Sequence, residues 1–249
     1  MIRNFMVIVA LACTSLCAFA APPQQIKTGQ DLLTAMHARY AKSWYRTVTF
    51  QQDSTTHNPD GTSKTVIWYE ALSLPGKLRI NFSAPDAGDG YLFNDNVLTT
   101  FKDGKIASTR PFVHMLLVLG FDVYRQDPQT TISEASGQGF DLSKIHDDTW
   151  EGKPVYVVGA DKGDLKSKQF WIEKDRLLFL RLIEPDTHDA TKTADQRFGD
   201  YRRVPGGWIA ARVDFYSNGV DSFTETYSNI KTNVKLSPNF FDPQHFTSR

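Results

Sequence analysis

Beyond position 17 the 249-residue sequence contains no cysteine. The rest of the chain is therefore without disulfides, thiolate nucleophiles or thiolate-bound metals, and must rely on an ordinary apolar core. An excess of one charge is missing too, since 28 Lys and Arg face 28 Asp and Glu. A near-neutral chain with interspersed signs has no electrostatic footprint for nucleic acid. After the N-terminal stretch no apolar run reaches the roughly 18 residues that a transmembrane helix needs. The motifs of common catalytic sites are also lacking: Gly-x-Ser-x-Gly, His-Glu-x-x-His, a P-loop and a dinucleotide fingerprint. Six histidines are scattered along the chain. Asp186-Thr187-His188-Asp189 with Asp195 is the best group of potential metal ligands, but its spacing matches no known site. No catalytic residue, metal or cofactor is expected. An exported hydrolase would need a polar cluster in a cleft, and no such constellation is visible.

What is present begins with an address. Arg3 gives a positive start, Phe5 to Leu11 is a short apolar core, and Ala18-Phe19-Ala20 fits signal peptidase. Residues 1–20 read as a cleavable signal peptide and residues 21–249 as one exported, periplasmic domain. Ala10-Leu11-Ala12 before Cys13 makes a poor lipobox.

Thr28 to Asp31 forms a capping-box variant, and Leu32, Leu33, Met36 and Tyr40 recur at helical spacing, predicting a helix to about Trp44. The period then becomes two. Val48 and Phe50 alternate with polar neighbours, and Asn58-Pro59-Asp60-Gly61 turns the chain into a return strand over Val66 to Leu72. In the next strand Leu78, Ile80 and Phe82 alternate with Lys77, Arg79 and Asn81, predicting one apolar and one polar face. Arg110 to Gly120, RPFVHMLLVLG, is apolar at most positions between a proline and a glycine, predicting a short helix buried on more than one side. Residues 126–140 read as a loop or irregular helix. Asp103-Gly104 turns the first meander; from Pro154 onward short strands follow one another, with turns at Glu151-Gly152, Lys174-Asp175 and Asn218-Gly219, and a polar loop over Glu184 to Asp195. No interdomain linker is visible.

Large rings are frequent on these strands, Trp68, Trp171, Trp208 and Phe215 among them. Two short helices cover a large sheet incompletely, so the apolar face needs either a second sheet or a ligand. The order of signal peptide, helix and strand pair, then LPGKLRINF, YLFNDNVLTTFKDGK and an apolar helix, resembles the LolA/LolB-like proteins, periplasmic carriers and receptors of outer-membrane lipoproteins. VYVVGADKGDLKSKQFWIEKDRLLFLRLIEP and the closing LSPNFFDPQHF are similar to the family as well.

The resemblance implies a mainly β (α+β) fold: a strongly curved, open antiparallel sheet, an incomplete β-barrel, with short helices covering the concave face. It implies one LolA-like domain and a non-enzymatic carrier that holds lipoprotein acyl chains or another lipid, exchanged with an inner- or outer-membrane protein partner. The expected apolar lining is Trp68, Leu78, Ile80, Phe82, Met115, Leu116, Leu119, Trp171 and Phe179. Arg79 is similar to a family arginine that holds the plug helices, with Leu78 here in place of the preceding aromatic. A sensor or protein-interaction module on the same fold is the alternative.

Overall fold

The structure, a computed structural model, describes residues 25–247 apart from 85, 187, 188 and 190. The expected signal peptide, residues 1–20, and His188 of the potential metal group lie outside the described residues. One half of the chain supplies β1 (Thr47–His57), β2 (Ser63–Ser73), β3 (Lys77–Phe82), β4 (Gly90–Asn94), β5 (Val97–Lys102) and β6 (Lys105–Pro111). The other supplies β7 (Ile145–Trp150), β8 (Lys153–Val158), β9 (Gln169–Glu173), β10 (Phe179–Pro185), β11 (Thr193–Val204), β12 (Gly207–Ser217) and β13 (Val220–Thr232). All pair antiparallel in one sheet of order β6-β5-β4-β3-β2-β1-β13-β12-β11-β10-β9-β8-β7. Two meanders thus meet along one seam, where β1 pairs with β13 from Val48 opposite Thr232 to Thr56 opposite Phe223. The sheet does not close into a barrel, because β6 and β7 end it on either side.

Those two edges are consecutive in the chain, so the segment joining them has to cross the sheet. It does so over the concave face, as α2 (Met115–Gly120), a 3-10 turn at Asp122–Tyr124 and α3 (Pro128–Gly137), of which the 3-10 turn and α3 pack against the N-terminal α1 (Gly29–Tyr40). The reciprocal capping box holds: Thr28 Oγ1 accepts from Asp31 N at 3.1 Å, and Asp31 Oδ2 accepts from Thr28 N at 3.0 Å. Leu32, Leu33, Met36 and Tyr40 are all buried against the sheet. Gly29 is required there, since a Cβ would meet Val158 Cγ1 at 2.7 Å. Asp103-Gly104, Glu151-Gly152 and Asn218-Gly219 take positive φ at both residues, as tight hairpins demand.

Several expectations need correction. The helix expected over Arg110 to Gly120 starts only at Met115, because Pro111 still pairs with Val97 as the last residue of β6. Residues 126–140 contain a regular helix, α3, whose start is fixed by Asp127 accepting from Gln129 N and by Pro128 in the first turn. The polar loop is shorter than expected, with Glu184 and Pro185 inside β10 and Thr193 to Asp195 inside β11.

The supposed polar face of β3 is also buried. Arg79 is 2% exposed and Asn81 4% exposed. Alternation does turn them away from the helices, but residues 236–246 return across this convex side, where Phe241 and Phe246 pack on Ala71, Leu92 and Phe101. The Arg79 guanidinium lies 4.6 Å from the ring centres of both Phe240 and Phe246. It donates to Asn81 Oδ1 at 3.0 Å, to the Phe240 carbonyl at 3.1 Å and to the Phe246 carbonyl. Arg79 is therefore a clasp for the C-terminal segment and does not contact the plug helices. Arg79→Ala should cost on the order of 2–4 kcal/mol, because two carbonyls and two ring faces lose their partner together. Urea denaturation checks the loss, and amide exchange should quicken across 236–246 first; unchanged protection there would refute the clasp.

Candidate functional site

Between the concave face and the crossing segment lies an open cavity of about 330 Å³. β2 and β3 contribute Trp68, Leu72, Leu78 and Ile80; β4 and β5 add Tyr91, Phe93 and Leu98. The crossing segment adds Phe112, His114, Leu116, Leu117 and Phe121, and the far meander adds Phe198 and Phe215. A row of touching rings runs along this wall. Phe215 meets Phe223 at 5.5 Å, Phe223 meets Trp68 at 5.8 Å, and Trp68 meets Phe82 at 4.6 Å. Phe82 then meets Tyr91 at 4.8 Å, and Tyr91 meets Phe93 at 6.3 Å. Edge-to-face and tilted ring pairs of this kind make a stiff apolar surface.

Of the nine residues expected as lining, Trp68, Leu78, Ile80 and Leu116 face the cavity. Phe82 supports the wall through Trp68 and Tyr91. Met115, Leu119 and Phe179 sit in the core behind it, Phe179 with its ring edge-on to the lining Phe198 at 4.8 Å. Trp171 is on the opposite face. Its neighbours Phe170 and Ile172 fill the main core, so strand alternation turns Trp171 outward, into a separate cluster with Val155, Val157 and Leu180.

That outer cluster is built round charge. Arg181 lies between Trp150 and Trp171, 4.3 and 4.7 Å from their ring centres, and donates to Asp195 at 2.7 and 2.8 Å. Arg197 donates to the same carboxylate at 3.0 and 2.7 Å. Burial works against the Asp195 charge, but the two guanidinium partners outweigh it and hold its pKa below the usual range. Asp195 is thus committed to two arginines, which accounts for its place in the chain without a metal.

The crossing segment is fastened at several points. Asp122 Oδ1 accepts from Gly76 N at 3.0 Å, and burial pushes this carboxyl up to about 8. Arg125 donates to the carbonyls of Ala41 and Trp44 at 3.0 and 3.3 Å. Tyr124 stacks on Trp44 at 4.0 Å, and its hydroxyl accepts from Phe179 N at 3.1 Å. His114 caps α2 by accepting from Leu117 N at 3.4 Å, and burial lowers its pKa to about 4, so it stays neutral.

Sequence reasoning missed the polar part of the wall: Glu70, Glu225, Tyr227 and Arg110. The signal was present in β2, where Trp68, Glu70 and Leu72 share one face and place a carboxyl in an apolar register. Burial and the nearby Glu225 raise Glu70 well above the usual carboxylate range. Burial raises Glu225 to about 7, against the opposing hydrogen bonds of Tyr227 and Gln52. The ordinary value for both is 4.5, so the fold binds extra protons above that pH. Their contribution to stability is complete below it and is lost as pH rises through about 7. Replacing both by Gln removes that loss. The melting temperature of the double variant, relative to the unaltered protein, should rise from about pH 5 to about pH 8; a pH-independent difference would refute the shifts.

The sequence matches no protein-family model and no curated protein. Solved structures are similar. A DUF1329 family protein from Desulfovibrio piger superposes with a TM-score of 0.55 at 18% identity, over 86% of this chain and 95% of that one. A LolA superfamily protein from Nitrosomonas europaea gives 0.53 at 12% identity, over 84% and 96%. An outer membrane lipoprotein-sorting protein domain from Vibrio parahaemolyticus gives 0.52 at 15% identity, over 88% and 98%. At these identities the likeness carries the fold: the chain has the LolA-like fold, a curved antiparallel sheet left open as an incomplete barrel and plugged on its concave side.

Proposed function

We propose that the protein is a non-enzymatic periplasmic carrier that holds a lipid or lipoprotein acyl chain in the concave cavity and exchanges it with a membrane-protein partner. One observation carries the reading: the cavity between sheet and crossing segment is open, ring-lined and about 330 Å³. That volume falls at the lower end of the roughly 300–1,000 Å³ of small-ligand sites and suits one chain. Binding would draw on apolar burial, on the order of 25 cal/mol per Å². The location rests on residues 1–20. The chemistry of the wall supports binding better than turnover, since its histidine is a neutral helix cap and the Tyr227 hydroxyl is spent on Glu225. The α2 segment would serve as the lid, exchanging its own contacts, Leu116 and Leu117 among them, for those of the chain.

Mass spectrometry of organic extracts of the purified protein should find a stoichiometric lipid, and a fluorescent fatty-acid probe should bind. Leu116→Trp, which fills the cavity from the lid, should weaken the probe at least about tenfold, the loss expected when a buried chain is displaced. Val97→Ser, on the exposed side of β5, serves as the control. A stoichiometric protein partner with no lipid and no probe binding would replace the carrier with a sensor or interaction module.

A further inference from the structure

The middle of the cavity wall carries carboxyls that packing does not explain. Glu70 on β2 is only 8% exposed, yet its side chain faces the cavity. Among the described residues its carboxyl takes part in no hydrogen bond or ion pair. Glu225 on β13 faces the same space. Gln52 on β1 lies between them in register, opposite Trp68 of β2 and Tyr227 of β13, both of which line the cavity. Residues directly opposite in a sheet share a face, so Gln52 points inward with them.

The local donors are already used. Tyr227 donates its hydroxyl proton to Glu225 at 2.6 Å. Gln52 donates Nε2 to Ser54 Oγ at 2.9 Å, and its Oε1, on a residue 0% exposed, has no partner. What remains toward the cavity is two carboxyls, with the unpartnered amide oxygen of Gln52 buried beside them on the same face. Burying such groups unpaired is costly, and among the described residues no cation pairs with them. Arg110 lines the same cavity, but it is exposed at the rim, 4.6 Å over the Phe112 ring, and pairs with neither carboxyl. His114 is neutral and spent as the cap of α2.

We propose that Glu70, Glu225 and the free Oε1 of Gln52 form a binding site for the primary ammonium group of an amphiphile whose chain fills the ring-lined cavity. The proposal rests on the reading of the cavity as an acyl-chain site. An ammonium presents three donors and one positive charge, which suits two buried carboxyls with an amide oxygen beside them and offsets the carboxylate charge. A hydroxyl would satisfy one acceptor and leave the charge. A carboxylate or phosphate head would add like charge beside Glu70 and Glu225, and would have to stay outside near Arg110.

The test titrates the protein with dodecylammonium, dodecanol and dodecanoate by calorimetry at about pH 8, above the value of about 7 to which burial raises Glu225. Dodecylammonium should bind about tenfold or more tighter than dodecanol, with dodecanoate weakest, as expected for a charge-assisted contact in a partly desolvated site. In the Glu70→Gln/Glu225→Gln double variant the ammonium-to-dodecanol affinity ratio should fall to near one. Repeating the wild-type titration in buffers of different ionisation enthalpy should show protons released by dodecylammonium and none by dodecanol, a readout that does not depend on the variant folding. Lysophosphatidylethanolamine preferred over lysophosphatidylcholine assigns the ammonium to a lipid headgroup, whereas a preference confined to dodecylammonium assigns it to a simple long-chain amine. Equal affinity for the ammonium and the alcohol, or a ratio unchanged by the double variant, overturns the ammonium site and leaves the chain site standing. If none of the three twelve-carbon probes binds, both readings fall.

Discussion

β6 and β7 are consecutive strands that lie at opposite ends of one sheet. Everything distinctive about the molecule follows from that separation. The chain cannot pass from one to the other without traversing the sheet, and the concave side offers the shorter route and an apolar surface to traverse. Residues on the crossing segment must therefore be apolar toward the sheet, which explains the run Met115 to Leu119. A segment fixed by its two ends and by Asp122, Tyr124 and Arg125 follows a chord across the curve. A chord leaves space beneath part of an arc, and the cavity is that space.

The convex side has the opposite problem. An antiparallel sheet this long would normally show water its polar face, yet two patches of it are roofed. On one side Arg79 ties residues 236–246 down through carbonyls and ring faces. On the other Arg181 and Arg197 share Asp195 amid Trp150, Trp171 and Tyr216. Both patches use guanidinium for the same reason: it is flat enough to lie on rings and carries donors at its edge. With no disulfide available, these clasps do the work of fixing peripheral segments to the frame.

Local signals in the sequence translated well where the cause was itself local. The Thr28–Asp31 box starts α1, and the turn dipeptides bend the hairpins where their left-handed conformations are needed. Alternation correctly grouped Leu78 with Ile80. It could not tell what covers each face, because the cover for Arg79 comes from Phe240, 161 positions away. In β9 every residue is buried, so Trp171 stood in a run with no polar beat to show which way it points. The regularity of α3 was not legible because its face buries only Thr131 and Ala135 and its one clear signal is the Asp127-Pro128 start. Glu70 and Glu225 were overlooked for a different reason. A carboxyl in an inward register contradicts the core pattern, and such local conflicts mark functional positions better than agreement does.

The seam between β1 and β13 also divides the molecule in time. Each meander consists of strands paired with their sequence neighbours, so each has low contact order and can form early. Joining them requires β1 to wait for β13. In a chain that enters a compartment N-terminus first, β1 to β6 can be in place while their apolar face, and Arg79 behind it, are still bare. The half-sheet would then be at its stickiest just before the second meander and residues 236–246 arrive, which makes late delivery of the C-terminal region the step most exposed to aggregation.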